Sequence, residues 1–522
     1  MTPSSAKIAH LAKAVQPRPL PDIPESSRIS VHAAVSRFSV LYEKVRNAVD
    51  YREDHLLRKA AIARILKRQL ALDGDPRSMG VQLVRELIAA RYLPNNVLPE
   101  SLGEGVADIL AKYVVLHRLE IGSDLHHEWL LGIVAAELEE YLDEAGQDKA
   151  FTHFLYEQMA ERITLPVGVS NDDDRRIQVY IACHRALVKA DEEMIGYRLV
   201  RAFHPLWMNP ASWIASPADM AHQMVDVESR VRTALEDPLA QKFQHAVKPW
   251  AISLNILRTA LNENPANAEK LLLNEEARHE AVKRIAEKRI NESKAKLRRG
   301  TIRAMIYLFI TKMLFALAME IPSELLFFRE VHRVSLAINV AFPPVLMLLV
   351  GLLIRPPGKE NVRRIVQGVD ELISEEGPKG REVRPAKKHG ALGQLFYGSA
   401  YLFAFVVTFG VTFFTLQFLH FTWVSAGIFI FFLCVVSFFA FRLRMVTREY
   451  VAVPRPDNVF TLLSDFFSIP ILRAGRFLSE TISRFNVFVF FFDFILEAPF
   501  KIFLNILEEW SAFMKEKKEQ LQ

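Results

Sequence analysis

The chain has 522 residues, with 65 Lys and Arg against 60 Asp and Glu, a formal net charge of +5 and 51% hydrophobic residues. Thirty-two of its 37 phenylalanines fall in residues 301–522, so the mean hydropathy of +0.12 averages two physically different halves. That imbalance excludes a uniform globular enzyme, a disordered chain and a fibrous repeat.

The first residues contain no apolar core of a secretory signal. Prolines at 17, 19, 21 and 24 predict a flexible, extended leader over residues 1–27, with an arginine-poor organelle-targeting peptide as the alternative. From 28 to 303 the apolar residues recur three and four apart, as in Val35, Phe38, Leu41, Val45 and Val49. This predicts a large soluble helical region. Asp-Gly-Asp-Pro at 73–76 and Asn-Glu-Asn-Pro at 262–265 punctuate it.

Chemistry is sparse in this half. Glu276 and His279 stand in Glu-x-x-His spacing, but a di-iron bundle needs two such pairs, and no second occupies a credible position. A solvated helix face is the better reading. His126, His127 and Glu128 lack a zinc-protease continuation. The pairs Glu139, Glu140 and Glu192, Glu193 read as solvent-facing, with a polar interior as the alternative. The two cysteines, Cys183 and Cys434, form neither a disulfide framework nor a thiolate cluster and read as packing residues. No catalytic constellation assembles, no cofactor is expected, no metal can be assigned, and the protein reads as a non-enzyme.

Residues 282–303 carry nine Lys or Arg against two Glu and run directly into an apolar segment. Such a basic stem fits a place beside anionic lipid headgroups on the cytoplasmic side, or a coiled-coil stalk; it lacks the interleaved aromatics that a nucleic-acid groove would add. Four spans follow, at 304–322, 335–354, 394–418 and 423–441, forming two hairpins within 304–354 and 394–441. A basic cytoplasmic linker at 355–393 separates them, and Arg442 and Arg444 follow the fourth span. These charges agree with a cytoplasmic N-terminus. The segment 442–522 reads as amphipathic, interfacial or re-entrant. Within it, 460–485 reads as surface-lying, and 485–507, interrupted by Asp493, Glu497 and Lys501, reads as re-entrant or interfacial with a fifth span as the alternative; Asp493 and Glu497 are candidate transport-path residues.

Polar groups inside the spans are the candidate transport-path residues, because charge in hydrocarbon is costly. Span one holds Lys312, Glu320 and Glu324. Lys312 has Leu308 and Ala316 four residues to either side, so its partner is expected from another helix, water or snorkelling, with Glu320 at the interface. Span two holds Asn339 and the pair Pro343, Pro344, expected to kink the helix and release carbonyls. Span three holds Thr408, Thr412 and Thr415 in one stripe, which either lines a polar surface or packs between helices. A weak internal echo aligns Glu320 and Pro322 with Glu497 and Pro499.

The sequence therefore predicts a mainly α-helical polytopic membrane protein with a large N-terminal soluble helical domain. The expected function is an ion channel or ion-coupled transporter, assembled as a homo-oligomer, with a cytoplasmic regulatory or assembly domain. A membrane-anchored scaffold is the alternative. Expected partners are the lipid bilayer, an inorganic ion and a cytoplasmic protein, with no nucleic acid. A bacterial-type cytoplasmic membrane is the expected location, and an organellar inner membrane the alternative.

Overall fold

The computed structural model describes residues 4–16, 24, 27–32, 36–37, 39–40, 42–44, 56–70, 75–119, 127–143, 146–166, 168, 171–327, 333–354, 357–385, 390–448, 450–452, 459–484, 506 and 510. The fold is all-helical: among the described residues the strands are two dipeptides, β1 (Ile163–Thr164) and β2 (Arg381–Glu382), paired in parallel. Contacts divide the chain into two compact units. One comprises Met1–Ala12, Lys248–Lys379 and Arg384–Phe485; the other comprises Lys13–Val247, Gly380–Val383 and Asn486–Gln522.

The first described helix, α1 (Ser5–Val15), lies where a flexible leader was expected. Its Ile8, Leu11, Ala12 and Val15 recur at helical spacing and are all buried. The Ser4 N–H donates to the Ile373 carbonyl, and Lys7 Nζ donates to the Ser374 carbonyl at 2.6 Å. Tertiary contacts, which a proline count cannot show, hold this segment.

The unit centred on residues 13–247 contains α2 (Leu57–Leu70), α3 (Pro76–Ala89), α4 (Ser101–Arg118), α5 (His127–Leu142), α6 (Gln147–Ala160), α7 (Asp172–Leu187), α8 (Glu192–Phe203) and α9 (Pro217–Leu235). Local signals start several of them. Asp75 caps α3 by accepting from the Arg77 and Ser78 N–H groups, with Pro76 at the first position; Asn171 and Asp191 cap α7 and α8. Helices α3 and α4 touch backbone to backbone, since a Cβ on Gly80 would lie 2.6 Å from the Gly103 carbonyl oxygen.

The α5 helix is buried on most sides, yet its C-terminal half carries three acids. Each meets donors from a different neighbour. Glu137 accepts from Lys112 and Tyr113 of α4 and, at 3.2 Å, from Trp207 Nε1. Glu139 accepts from Arg58 of α2 at 2.7 Å, and Glu140 from Arg198 and Arg201 of α8. The solvent-facing reading of Glu139 and Glu140 is therefore corrected. Glu193, with Asp191, likewise pairs with buried Lys59. Helices hydrophobic all round can be buried without charge; here the charges fix which helix meets which.

The second unit holds the larger part of α10 (Ala240–Glu263), α11 (Ala268–Leu273) and α12 (Glu275–Phe315). The basic stem and the first apolar run are one continuous α12 of 41 residues, about 60 Å long. A wide π-turn, Ala316–Glu320, leads into α13 (Ile321–Phe327). Then follow α14 (Arg333–Leu353), α15 (Lys359–Ile373), α16 (Ala391–Phe418), α17 (Trp423–Arg448) and α18 (Val459–Arg484). Among the described residues, four helical stretches are long and apolar enough to cross a membrane: Glu275–Leu326, Arg333–Leu352, Leu392–Phe418 and Trp423–Arg444.

Two elements differ from expectation. The charged linker contains the amphipathic α15, whose Val362, Ile365, Val369 and Leu372 are buried. Asp370 receives Arg278 at 2.9 Å and His279 at 2.7 Å, and Arg364 stacks 5.0 Å over the Trp250 ring. The stretch read as surface-lying, α18, instead packs against the middles of α16 and α17. A Cβ on Gly475 would fall 2.1 Å from the Cys434 carbonyl oxygen, and Thr408 Oγ1 donates to the Phe467 carbonyl at 3.3 Å. Asp493, Glu497 and the second copy of the internal echo lie outside the described residues.

Candidate functional site

Along α12 and α13 the usual amphipathic order is inverted. Lys312 is 0% exposed and Glu320 and Glu324 are 1% exposed, on one stripe with Thr301, Ala304, Leu308 and Ala316. The intervening Tyr307, Phe309, Ile310, Met313, Leu314 and Leu317 face outward, Leu314 at 62% exposure. In water this arrangement would be unfavourable twice over, exposing apolar area and burying charge. It suits a surrounding apolar medium.

Lys312 pairs with Glu320, eight residues along its own run. Eight regular residues would leave Glu320 about 80° off the Lys312 face. The π-turn, with more residues per turn, removes part of that offset. The Glu320 side chain also leaves its backbone pointing toward the helix N-terminus, and so toward Lys312.

Other helices complete the cluster. Asn339 of α14 donates from Nδ2 to Glu320 Oε1 at 2.9 Å, and the same amide lies 3.1 Å from Ser425 Oγ of α17. Ser425 is set at the start of α17, where its N–H donates to Thr422 Oγ1 at 3.2 Å. The Lys312 ammonium sits 4.4 Å from the centroid of Phe432, a cation–π contact inside the bundle. Ser335, one turn before Asn339, is buried on the same face.

Glu320 Oε2 and Asn339 Oδ1 are buried and accept no hydrogen bond from the described residues. Pro343 lacks an N–H, so the Asn339 backbone carbonyl also loses its regular helical donor, as Val340 does to Pro344. Helix α14 runs on as one helix through both buried prolines. With Lys312 and Glu320 both ionised, the pair is formally neutral. Unspent buried oxygens of this kind call for a proton, a cation or water.

The contrast with the Glu137 centre is instructive. Both Glu137 oxygens are taken by Lys112, Tyr113 and Trp207. Burial lowers the Lys112 pKa, against the pull of Glu137, and raises that of Tyr113 well above its usual value. That centre is saturated and closed, as a structural core group should be.

The threonine stripe does not join the cluster. Thr412 and Thr415 donate to the carbonyls of Thr408 and Val411 one turn back, at 2.8 and 2.7 Å, and Thr408 turns to α18. His279 bonds Asp370 while Glu276 is exposed, and among the described residues no group of three or more His, Cys, Asp or Glu comes together. Ser335, Ser425 and Phe432 were not singled out in the sequence; Ser335 and Asn339 at four-residue spacing in an apolar run were the available signal. Comparison with protein-family models, curated proteins and solved structures found no match.

Proposed function

We propose that this protein is an integral membrane protein that carries a proton or a monovalent cation across the bilayer, with Glu320 as the group that takes it up. The observation that carries the reading is the buried Lys312–Glu320–Asn339 cluster with its unspent oxygens. Lys312 acts as the resident counter-ion: it pairs with Glu320 and competes with the incoming cation. The basic ends of α12 and α17 support a reading with four crossings and the N-terminal helical unit on the cytoplasmic side. There it serves regulation or homo-oligomeric assembly, and could receive a protein partner.

One observation favours a second reading. Lys312 and Glu320 already neutralise one another, so the pair could simply staple the helices of a membrane-anchored scaffold. Cysteine accessibility separates the two. Asn339→Cys in the full chain, reconstituted in liposomes, is treated with a membrane-impermeant thiol reagent; the native Cys183 and Cys434 are buried. Transport predicts labelling that changes with pH or cation. A static staple predicts no labelling under any condition.

A further inference from the structure

The register between α12 and α17 brings basic side chains from distant parts of the chain to one level. A Cβ on Gly300 would lie 3.2 Å from Leu443 Cδ2, while Lys312 lies over Phe432 at 4.4 Å. Twelve residues along α12 thus match eleven counted backwards along α17, so the helices run antiparallel and in step. Arg298, Arg299 and Arg303 of α12 therefore share a level with Arg442 and Arg444 of α17, and all five are exposed. The end of α14 reaches the same level, where a Cβ on Gly351 would fall 2.4 Å from Thr301 Cγ2.

Immediately beyond this collar the bundle becomes apolar inside and out. Its interior is Ala304, Leu308, Met347, Val436 and Ala440, and its outer surface includes the exposed Ile302, Ile306 and Tyr307. Neither helix carries Asp or Glu between Ser293 and Met319 or between Trp423 and Arg448. The collar is thus basic on both helices and sits at the margin of an outward-facing apolar surface. A free anion would use the first property alone; a lipid would use both.

We infer that this collar is a binding site for anionic phospholipid, with the arginines holding the headgroup phosphate and the acyl chains lying along Ile302, Ile306 and Tyr307. Guanidinium groups match phosphate oxygens in paired hydrogen bonds, and they stay charged at any physiological pH. The inference rests on the membrane reading above but not on transport.

The test uses the full chain in detergent, with binding of fluorescent phosphatidylglycerol and phosphatidylcholine measured side by side and inorganic phosphate as competitor. Phosphatidylglycerol should bind saturably and more tightly than phosphatidylcholine, and phosphate alone should compete poorly. Arg442→Gln with Arg444→Gln should weaken phosphatidylglycerol about 25-fold, at about five-fold per charge. Arg298→Gln with Arg299→Gln should do the same, while Arg85→Gln on the exposed face of α3 should have no effect. Equal binding of the two lipids, full competition by phosphate, or unchanged affinity in both double variants would overturn the inference. Failure of the membrane reading has a different signature, because the protein would then wash out of vesicles of either composition at alkaline pH.

Discussion

Replacing Glu320 by Gln keeps the side-chain size and an oxygen for Asn339, but it leaves the Lys312 ammonium among buried groups without a counter-charge. Two effects compete in setting the cost. Polar contacts between membrane helices are worth about 0.6 kcal/mol on average, because released groups find other partners. Breaking a buried ion pair from one side costs about 3–5 kcal/mol, and a lysine at mid-bilayer about 2.5–3.5 kcal/mol. The structure favours the larger figures. Lys312 is fully buried, and the nearest basic residue toward the N-terminal end of α12, Arg303, lies nine residues away, about 14 Å along the helix. That is farther than a lysine side chain reaches. Glu320→Gln should therefore destabilise the apolar unit by about 3 kcal/mol, and Lys312→Met by a similar amount. The double variant should recover most of the loss, since removing both charges removes the desolvation cost as well. Reversible unfolding in mixed micelles, run as a double-mutant cycle, reads this directly. Single variants within about 0.6 kcal/mol of the parent, or a double variant that is simply additive, would refute the reasoning.

Two further outcomes follow from individual contacts. Gly475→Val forces a side chain onto the Cys434 carbonyl, so α18 should separate from α17; hydrogen exchange in Val459–Arg484 should rise sharply while α2–α9 stay protected, and unchanged protection would count against the packing described. His184 is buried, and burial together with the Arg198 guanidinium holds its pKa well below the usual range. The unfolded chain then takes up a proton near pH 6.5 that the folded chain refuses, so stability is full above that pH and falls as pH drops through it. Between about pH 7.5 and about pH 5.5 the loss should be roughly 1 kcal/mol in the exchange protection of α7 and α8. His184→Gln should flatten that slope; an equal slope in the variant would remove His184 as its cause.

The helical class and the four apolar runs were legible because both rest on local pattern: three-and-four spacing and uninterrupted hydropathy. The site residues Lys312, Glu320, Glu324 and Asn339 were legible for a related reason, being polar groups where neighbours were apolar. Their pairing was not. Regular periodicity places Glu320 off the Lys312 face, and the π-turn that changes this has no marker in the residues Ala316–Glu320. Glu139 and Glu140 were misread because their cations, Arg58, Arg198 and Arg201, come from segments remote in sequence. In α15 the signal was present: Val362, Ile365, Val369 and Leu372 are spaced three, four and three apart, though surrounded by charges that suggested a linker. The amphipathic pattern of 460–485 likewise suggested a surface position for α18, whereas the small Gly475 is what lets that helix approach α17.

Flux through the reconstituted protein tests the central claim most directly. Liposomes containing the full chain, under imposed proton, sodium or potassium gradients of either polarity, should pass at least one of these ions. Glu320→Gln should abolish the flux, whereas Thr412→Val with Thr415→Val, whose hydroxyls serve only their own helix, should preserve it. Absence of flux for every ion in the parent protein, or parental flux in Glu320→Gln, would contradict the account.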